Sequence, residues 1–299
     1  MLNLVKMGII YRQLTDRDFR VLNAIEKGMA SYEYVPLEVI ERYTRIPETK
    51  LELSLSKLHR LKLVKRQYMM YKGYRLTYLG LDMLALKYFV DRDIVVALGD
   101  RIGVGKESEL FKALAPGDIN VIIKFLRIGR TSFRSTRRVR AFADNPRYDW
   151  YRQSKIAAER EYKALHEIYL VGGSVPRPLA YNRHSVVIGY INGIELYKKP
   201  DLPDPYETAT IILDTLRKAF IDVGIIHGDL SEYNVLVDRV SGKPYIIDWP
   251  QYVEKLHPSA EKLLRRDIEY IVRFFKKNYR VILDTNRALK YVKGELETA

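Results

Sequence analysis

The stretch IIHGDLSEYNVLVDRVSGKPYIIDWPQ, residues 225–251, limits the fold more than any other part of the chain. Apolar runs at Ile225-Ile226 and Val235–Val237 enclose His227, Asp229, Ser231, Glu232 and Asn234. Such runs belong in a buried sheet, where stray polar groups are costly to desolvate. Grouping the polar residues makes sense if they line a cleft at the end of that sheet. Val235–Val237 and Tyr245–Ile247 read as two strands, with Ser241-Gly242 as the turn signal between them. Pairing centred on Ser241 predicts that Asn234 and Asp248 meet at the open end. An amide oxygen and a carboxylate so placed suit a hard cation such as magnesium. An ordinary hairpin with solvated ends gives the same pattern. Asp229, five positions before Asn234, is expected to face the same pocket as a base. His227 reads as a structural residue bonding the loop backbone, and Glu232 as solvent-facing.

Two further segments bear on that cleft. Gly103-Val104-Gly105-Lys106-Glu107-Ser108 lies between strand-like runs, Ile94–Leu98 and Leu110–Leu114. Glycines allow a close approach of backbone to phosphate, although a tight hairpin turn explains the same residues. In VIIKFL, residues 121–126, alternation places Lys124 on one face with Ile122 and Leu126, where a lone ammonium is expensive. The helical pattern SKIAAEREYKALHEIYL puts Glu161 in an apolar stripe with Ala157, Ala164, Leu165 and Ile168. Lys124 and Glu161 are therefore expected to pair. The alternative is a lysine that snorkels to water beside a glutamate at the rim.

The first ninety residues carry a different pattern. Thr15-Asp16 caps a predicted helix reaching Gly28, with Phe19, Val21, Leu22 and Ile25 as its stripe. A second helix follows Val35-Pro36, with Leu37, Ile40 and Tyr43 on one side. A third follows Ile46-Pro47, with Leu51, Leu55, Leu58 and Leu61. LVKRQYMM and YRLTYL then read as a hairpin turning at Tyr71-Lys72-Gly73, followed by a helix from about Gly80 to Val90. Three helices and a two-stranded wing predict a winged-helix domain. Lys50, Lys57, Arg60, Lys62, Lys65, Arg66, Lys72 and Arg75 lie on its third helix and wing. They are candidates for phosphate contact, with Lys57, Arg60, Lys62 and Lys72 foremost. A solvated basic face is the plainer reading.

Composition limits the function classes. Of the 299 residues, none is cysteine, which excludes disulfides, thiol catalysis and cysteine-ligated zinc and predicts a cytoplasmic protein. No long uninterrupted apolar run or secretory signal is evident, so no membrane association is expected. Lysine and arginine number 51 against 37 acidic residues, a net charge of +14 that points to a polyanionic partner.

Taken in order, the GxG loop, strand lysine, helix glutamate, HGDxxxxN and strand-end aspartate resemble the protein-kinase arrangement. More specifically, GVGKESELF, KFLRIGRTSFR, HGDLSEYNVLV and IIDWPQ resemble the RIO family of atypical kinases, and the N-terminal unit resembles its winged-helix-bearing second subfamily. The resemblance implies an α/β (α+β) chain. Its winged-helix domain would span residues 1–92 and a minimal bilobal kinase-like domain residues 93–299, with lobes at about 93–188 and 192–299. It implies ATP with Mg2+ or Mn2+ as cofactors. Gly103, Gly105, Lys106, Glu107 and Ser108 would cover the phosphates. Lys124 would hold the α- and β-phosphates and pair with Glu161. Asp229 would act as base or orient the attacking group, and Asn234 and Asp248 would bind metal. Gly189, Tyr190 and Ile191 would offer backbone groups to adenine, with Ile188 behind it.

Trp249-Pro250 replaces the Phe-Gly of ordinary protein kinases, and proline disfavours a flipping segment. Few residues follow Asp248, enough for two or three helices. Asp267 reads either as an anchor for the catalytic loop or as a plain helix-surface residue. Arg127, Arg130, Arg134, Arg137, Arg138 and Arg140 form a basic insertion that, with the winged helix, would contact ribosomal RNA. Its Ser132, Ser135 and Thr136 are candidate autophosphorylation sites. The implied function is serine/threonine phosphoryl transfer or ATP hydrolysis on small ribosomal subunit precursors, with a protein substrate as a further partner. The alternatives are a small-molecule phosphotransferase of the aminoglycoside or choline kinase type, and a nucleotide-sensing DNA-binding regulator.

Overall fold

A computed structural model describes residues 6–68, 71–105, 107–128 and 150–298. Contacts within the chain divide it into two compact units, Met1–Val104 with Leu110–Ile119 and Gly105–Glu109 with Asn120–Ala299.

The first unit opens with α1 (Lys6–Gln13) and α2 (Asp16–Gly28). Thr15 and Asp18 form a capping box at the start of α2, each satisfying a backbone N–H of the other. After β1 (Val35–Pro36) come α3 (Leu37–Thr44) and α4 (Glu48–Arg60), then β2 (Val64–Tyr68) and β3 (Lys72–Leu76). The strands lie in the order β1-β3-β2. Val21, Leu22, Ile25, Ile40, Leu51 and Leu55 are nearly inaccessible to solvent. Burial of each such side chain contributes about 1.5–3 kcal/mol. Tyr43 and Leu61 depart from the expected stripes: Tyr43 is 40% exposed and stacks under Lys27, and Leu61 is half-buried. The turn expected at Tyr71-Lys72-Gly73 is also displaced, because Lys72 and Gly73 pair with Tyr68 and Gln67 inside the ladder. Thr77 caps α5 (Tyr78–Val90). A side chain at Gly80 would meet the Leu63 carbonyl oxygen at 2.3 Å, so the helix approaches the sheet too closely for any other residue.

Ile94 and Val95 donate to the Phe89 carbonyl, and Val96 donates to Leu114, so β4 (Ala97–Val104) and the distal part of β5 (Ser108–Ala115) group with the N-terminal unit.

In the second unit, β6 (Ile119–Leu126) pairs antiparallel with β8 (Ser185–Gly189), which pairs with β7 (Pro178–Asn182). Residues 121–126 are buried on both sides of the strand, so burial itself does not alternate there. The helix α6 (Trp150–Leu170) packs Ala157 and Ala158 against Leu126, Ile128 and Val186. Beyond it, β9 (Gly193–Glu195) leads to α7 (Pro205–Lys218), capped by Asp204 and followed by a π-helical turn, Ala219–Val223. The site segment then forms β10 (Ile225–Ile226), β11 (Val235–Asp238), β12 (Pro244–Ile246) and β13 (Val253–Glu254). α8 (Ala260–Tyr279) and α9 (Thr285–Lys293) complete the unit, two helices where two or three were expected after Asp248. Ile212, Leu216, Ile268, Ile271, Phe275 and Val292 fill the core among α7, α8 and α9.

Candidate active site

Strand parity on β6 and helical period on α6 direct Lys124 and Glu161 toward each other, and they meet at 2.6 Å between Nζ and Oε1. The same ammonium reaches Asp248 Oδ1 at 2.8 Å, a second partner that spacing alone does not signal. The side chains of Lys124 and Glu161 are 9% and 2% exposed, so snorkelling is excluded, whereas Asp248 is 47% exposed. Burial opposes the charge on Lys124, but Asp248 and Glu161 outweigh it and hold its pKa above the ordinary lysine value. Burial raises the Glu161 pKa, with Lys124 acting against that rise. Glu161 Oε2 is buried without a hydrogen-bond partner.

The β11–β12 ladder pairs Val235 with Ile246, and Ile247 donates to the Asn234 carbonyl. The register is therefore one residue off the expected pairing of Asn234 with Asp248. Asp238 and Lys243 close the turn symmetrically, placing its centre between Val240 and Ser241. Asp248 follows the ladder with a left-handed backbone, φ 68°, a costly conformation for a non-glycine residue that redirects its side chain. Asn234 Nδ2 donates to the Asp229 carbonyl at 2.8 Å, tying the two loop residues together, and Asp229 is exposed. With its nitrogen so engaged, the Asn234 amide oxygen and the Asp248 carboxylate are both hard oxygen donors. Oxygen donors of this kind could hold a divalent cation whose shell water and phosphate oxygens complete. Among the described residues no cluster of three or more His, Asp or Glu makes a dedicated metal cage.

The loop is held from beneath. His227 is buried; its Nε2 faces the Ile247 carbonyl at 3.0 Å, Nδ1 accepts from the Asp229 N–H, and its ring packs on Trp249. Asp267 on α8 is the anchor and not a surface residue: it is fully buried and accepts from the N–H groups of Gly228 and Leu230. Burial raises its pKa, opposed by His227, the Gly228 hydrogen bond and Arg266. Glu232 is half-buried, not fully solvated.

Other expected residues sit as follows. Gly105 donates to the Ser108 carbonyl at 2.9 Å, closing the β4–β5 turn as a hairpin. A Cβ at Gly105 would meet nothing closer than Ser108 Oγ at 3.5 Å, so local packing does not demand a glycine there. Gly103 lies within β4, and Glu107 accepts from the Arg127 N–H. Ile188 packs partly buried against the core. The Gly189 and Tyr190 N–H groups donate to the Arg177 and Asn120 carbonyls, and Ile191 follows them. Arg127 departs from the basic insertion: it is buried and paired with Glu109 at 3.1 Å. Of the nucleic-acid candidates, Lys57 pairs with Asp18 and Lys72 with Glu52, while Arg60 and Lys62 are exposed. Lys106, Arg130, Arg134, Arg137, Arg138, Arg140, Ser132, Ser135 and Thr136 lie outside the described residues.

Comparison with known proteins gives matches over most of the chain. Residues 109–288 match the RIO domain, and residues 11–92 match the Rio2 N-terminal domain, whose helices and wing are the ones seen here. The RIO-type serine/threonine-protein kinase Rio2 of Methanocaldococcus jannaschii is 36% identical over 276 residues, covering 88% of this chain and 99% of that one. Serine/threonine-protein kinase rio2 of Schizosaccharomyces pombe is 37% identical over 270 residues, 90% of this chain and 78% of its own. The crystal structure of the Rio2 kinase–ADP/Mg2+–phosphoaspartate complex from Chaetomium thermophilum superposes with a TM-score of 0.79 at 33% identity, covering 96% of this chain and 89% of that one.

A lysine shared between a helix glutamate and a strand-end aspartate, beside an HGD loop, defines a protein-kinase-like phosphotransferase. The match to the Rio2 N-terminal domain over residues 11–92 narrows that class. The chain belongs to the Rio2 branch of the RIO-type serine/threonine-protein kinases.

Proposed function

We propose that the chain binds ATP with Mg2+ and transfers or releases its γ-phosphoryl group at the Lys124–Glu161–Asp248 site. The observation that carries this reading is the placement of Lys124 Nζ at 2.6 Å from Glu161 and 2.8 Å from Asp248. An ammonium has three donors, and two are used here. A third remains for a phosphate oxygen, in a setting where Glu161 keeps the lysine charged and aimed. Asn234 and Asp248 hold the metal, which when bound neutralises charge on the β- and γ-phosphates. Asp229 orients or deprotonates the attacking group. Gly105 leaves the β4–β5 turn bare where Lys106, Glu107 and Ser108 would lie over phosphates. Backbone groups of Gly189, Tyr190 and Ile191 meet adenine, and Ile188 backs it. Residues 1–92 act as the nucleic-acid-binding domain and 93–299 as the kinase domain, with Arg60, Lys62 and the arginine-rich segment against RNA of a small ribosomal subunit precursor.

The similar Chaetomium structure contains a phosphoaspartate. That favours a second route in which a carboxylate oxygen of Asp248 attacks the γ-phosphorus and ADP leaves. The resulting acyl phosphate is then hydrolysed by water, giving net ATP hydrolysis. Incubation of the full chain with γ-labelled ATP and Mg2+, then mapping, distinguishes the two. Label on Asp248 that hydroxylamine removes establishes the aspartyl route. Label on serine or threonine that resists hydroxylamine establishes transfer to protein. No label and no ADP formed would overturn the catalytic reading.

A further inference from the structure

Arg160 precedes Glu161 on α6, and helical period turns it about a hundred degrees away from the lysine-facing side. Its side chain is half-buried and reaches the segment that follows Asp248. Nε donates to the Pro250 carbonyl at 3.2 Å, Nη2 donates to the Tyr252 carbonyl, and the guanidinium lies 3.8 Å over the Tyr252 ring. The planar fork of an arginine can satisfy two carbonyls and a ring face at once, which a lysine cannot match geometrically.

That segment is fixed on its other sides as well. Trp249 is fully buried and its Nε1 donates to the Ile246 carbonyl; Tyr252 N–H returns to the Trp249 carbonyl; Val253 pairs with Ile226. Proline at 250 has no N–H to offer, so its carbonyl is the handle that a neighbour can grip. The contacts close a circuit: Lys124 to Glu161, one residue back to Arg160, across to Pro250, two residues back to Asp248, and from Asp248 to Lys124.

We infer that Arg160 is a positioning residue: it locks the helix carrying Glu161 to the backbone of Asp248 and so sets the metal dependence of phosphoryl transfer. The contacts that give it this role are to the Pro250 and Tyr252 carbonyls and the Tyr252 ring. A side chain that exchanges Lys124 for a metal by rotating about χ1 returns to the same two positions only from a fixed backbone. Arg160 and the Trp249-Pro250 pair supply that fixed point. The inference rests on the reading of Asp248 as a metal-holding residue, and the controls separate the two.

The test uses the full chain with Arg160→Ala and Arg160→Lys, reading kcat, the Mg2+ concentration for half-maximal ATP turnover, ADP affinity in EDTA, and thermal unfolding. Positioning residues behind a metal site characteristically alter metal affinity or activity about 10- to 100-fold. Arg160→Ala should therefore shift the Mg2+ midpoint upward or lower kcat about tenfold. Metal-free ADP affinity should stay within about twofold, and Arg160→Lys should recover part of the loss. A wild-type Mg2+ profile and kcat in Arg160→Ala would overturn the inference. So would an equal loss of metal-free ADP affinity, which would mark a general loosening. If Arg160→Ala does not fold, Arg160→Lys decides: a wild-type profile overturns the inference, and an intermediate shift with metal-free ADP affinity unchanged supports it. Asp248→Ala serves as the control, since full turnover in that variant defeats the reading of the site itself, whatever Arg160 does.

Discussion

Lys124 shows how much a single buried charge controls. Its two carboxylate partners keep it ionised, and it in turn compensates a Glu161 that is almost fully enclosed. Removing one member of a buried pair typically costs about 3–5 kcal/mol, because the remaining charge stays desolvated. Lys124→Ala should lose about 3 kcal/mol at neutral pH by that reasoning, and weaken MgATP binding at least about tenfold through loss of a charge-assisted contact. The pH sign follows from Glu161. Burial already raises its folded-state pKa, and removing the lysine that opposes the rise lifts it further. A raised folded pKa favours the native state at low pH and penalises it as pH rises through that value. The cost of Lys124→Ala should therefore shrink between pH 7 and pH 5 in urea unfolding; a cost independent of pH would contradict this. At this scale the sequence is informative where a charge interrupts an apolar pattern, as at Lys124 and Glu161. It is silent on Arg160, whose targets are backbone carbonyls, because every residue has one and none carries a sequence mark.

Elements were legible where local chemistry decides them. Thr15 signals the start of α2, and the periods of α4 and α6 match the faces they bury, whereas α5 begins at Tyr78 behind a Thr77 cap and not at about Gly80. The capping box has a second function, since Asp18 Oδ2 also accepts from Lys57 at 2.6 Å. Burial would raise the Asp18 pKa, but hydrogen bonds from Lys57 and Thr15 outweigh it and hold the carboxyl below its ordinary range. A depressed folded pKa stabilises above the ordinary aspartate value and is lost as pH falls through the lowered one. Asp18→Ala should thus reduce protection of the α2 amides by about 2 kcal/mol near neutral pH in hydrogen exchange, combining a lost cap with a broken ion pair. The difference from wild type should narrow below about pH 4; an unchanged gap there would count against the ion pair. Misjudged elements share a cause in pairing. The β11–β12 register slipped by one because the turn spans an even number of residues, and the β2–β3 turn moved because Lys72 and Gly73 join the ladder.

For the whole molecule, order along the chain carried most of the information. GxG, lysine, glutamate, HGD with its asparagine, and the final aspartate each admit a plain structural reading, and their sequence order makes them a kinase-like set. By contacts β4 and most of β5 group with the N-terminal unit, whereas the RIO domain match begins at residue 109. The net charge of +14 fits association with a polyanion and says nothing about the fold. No described helix is long and apolar enough to cross a membrane. The central proposal is that Asp229, on the His227 loop, and Asp248, just after the β11–β12 ladder, carry out Mg2+-dependent phosphoryl transfer. Steady-state ATP turnover by the full chain with Mg2+, set beside Asp229→Ala and Asp248→Ala, tests it most directly. The account predicts turnover that requires Mg2+ and falls at least about 100-fold in each variant. Turnover within a few-fold of wild type in both variants would contradict it.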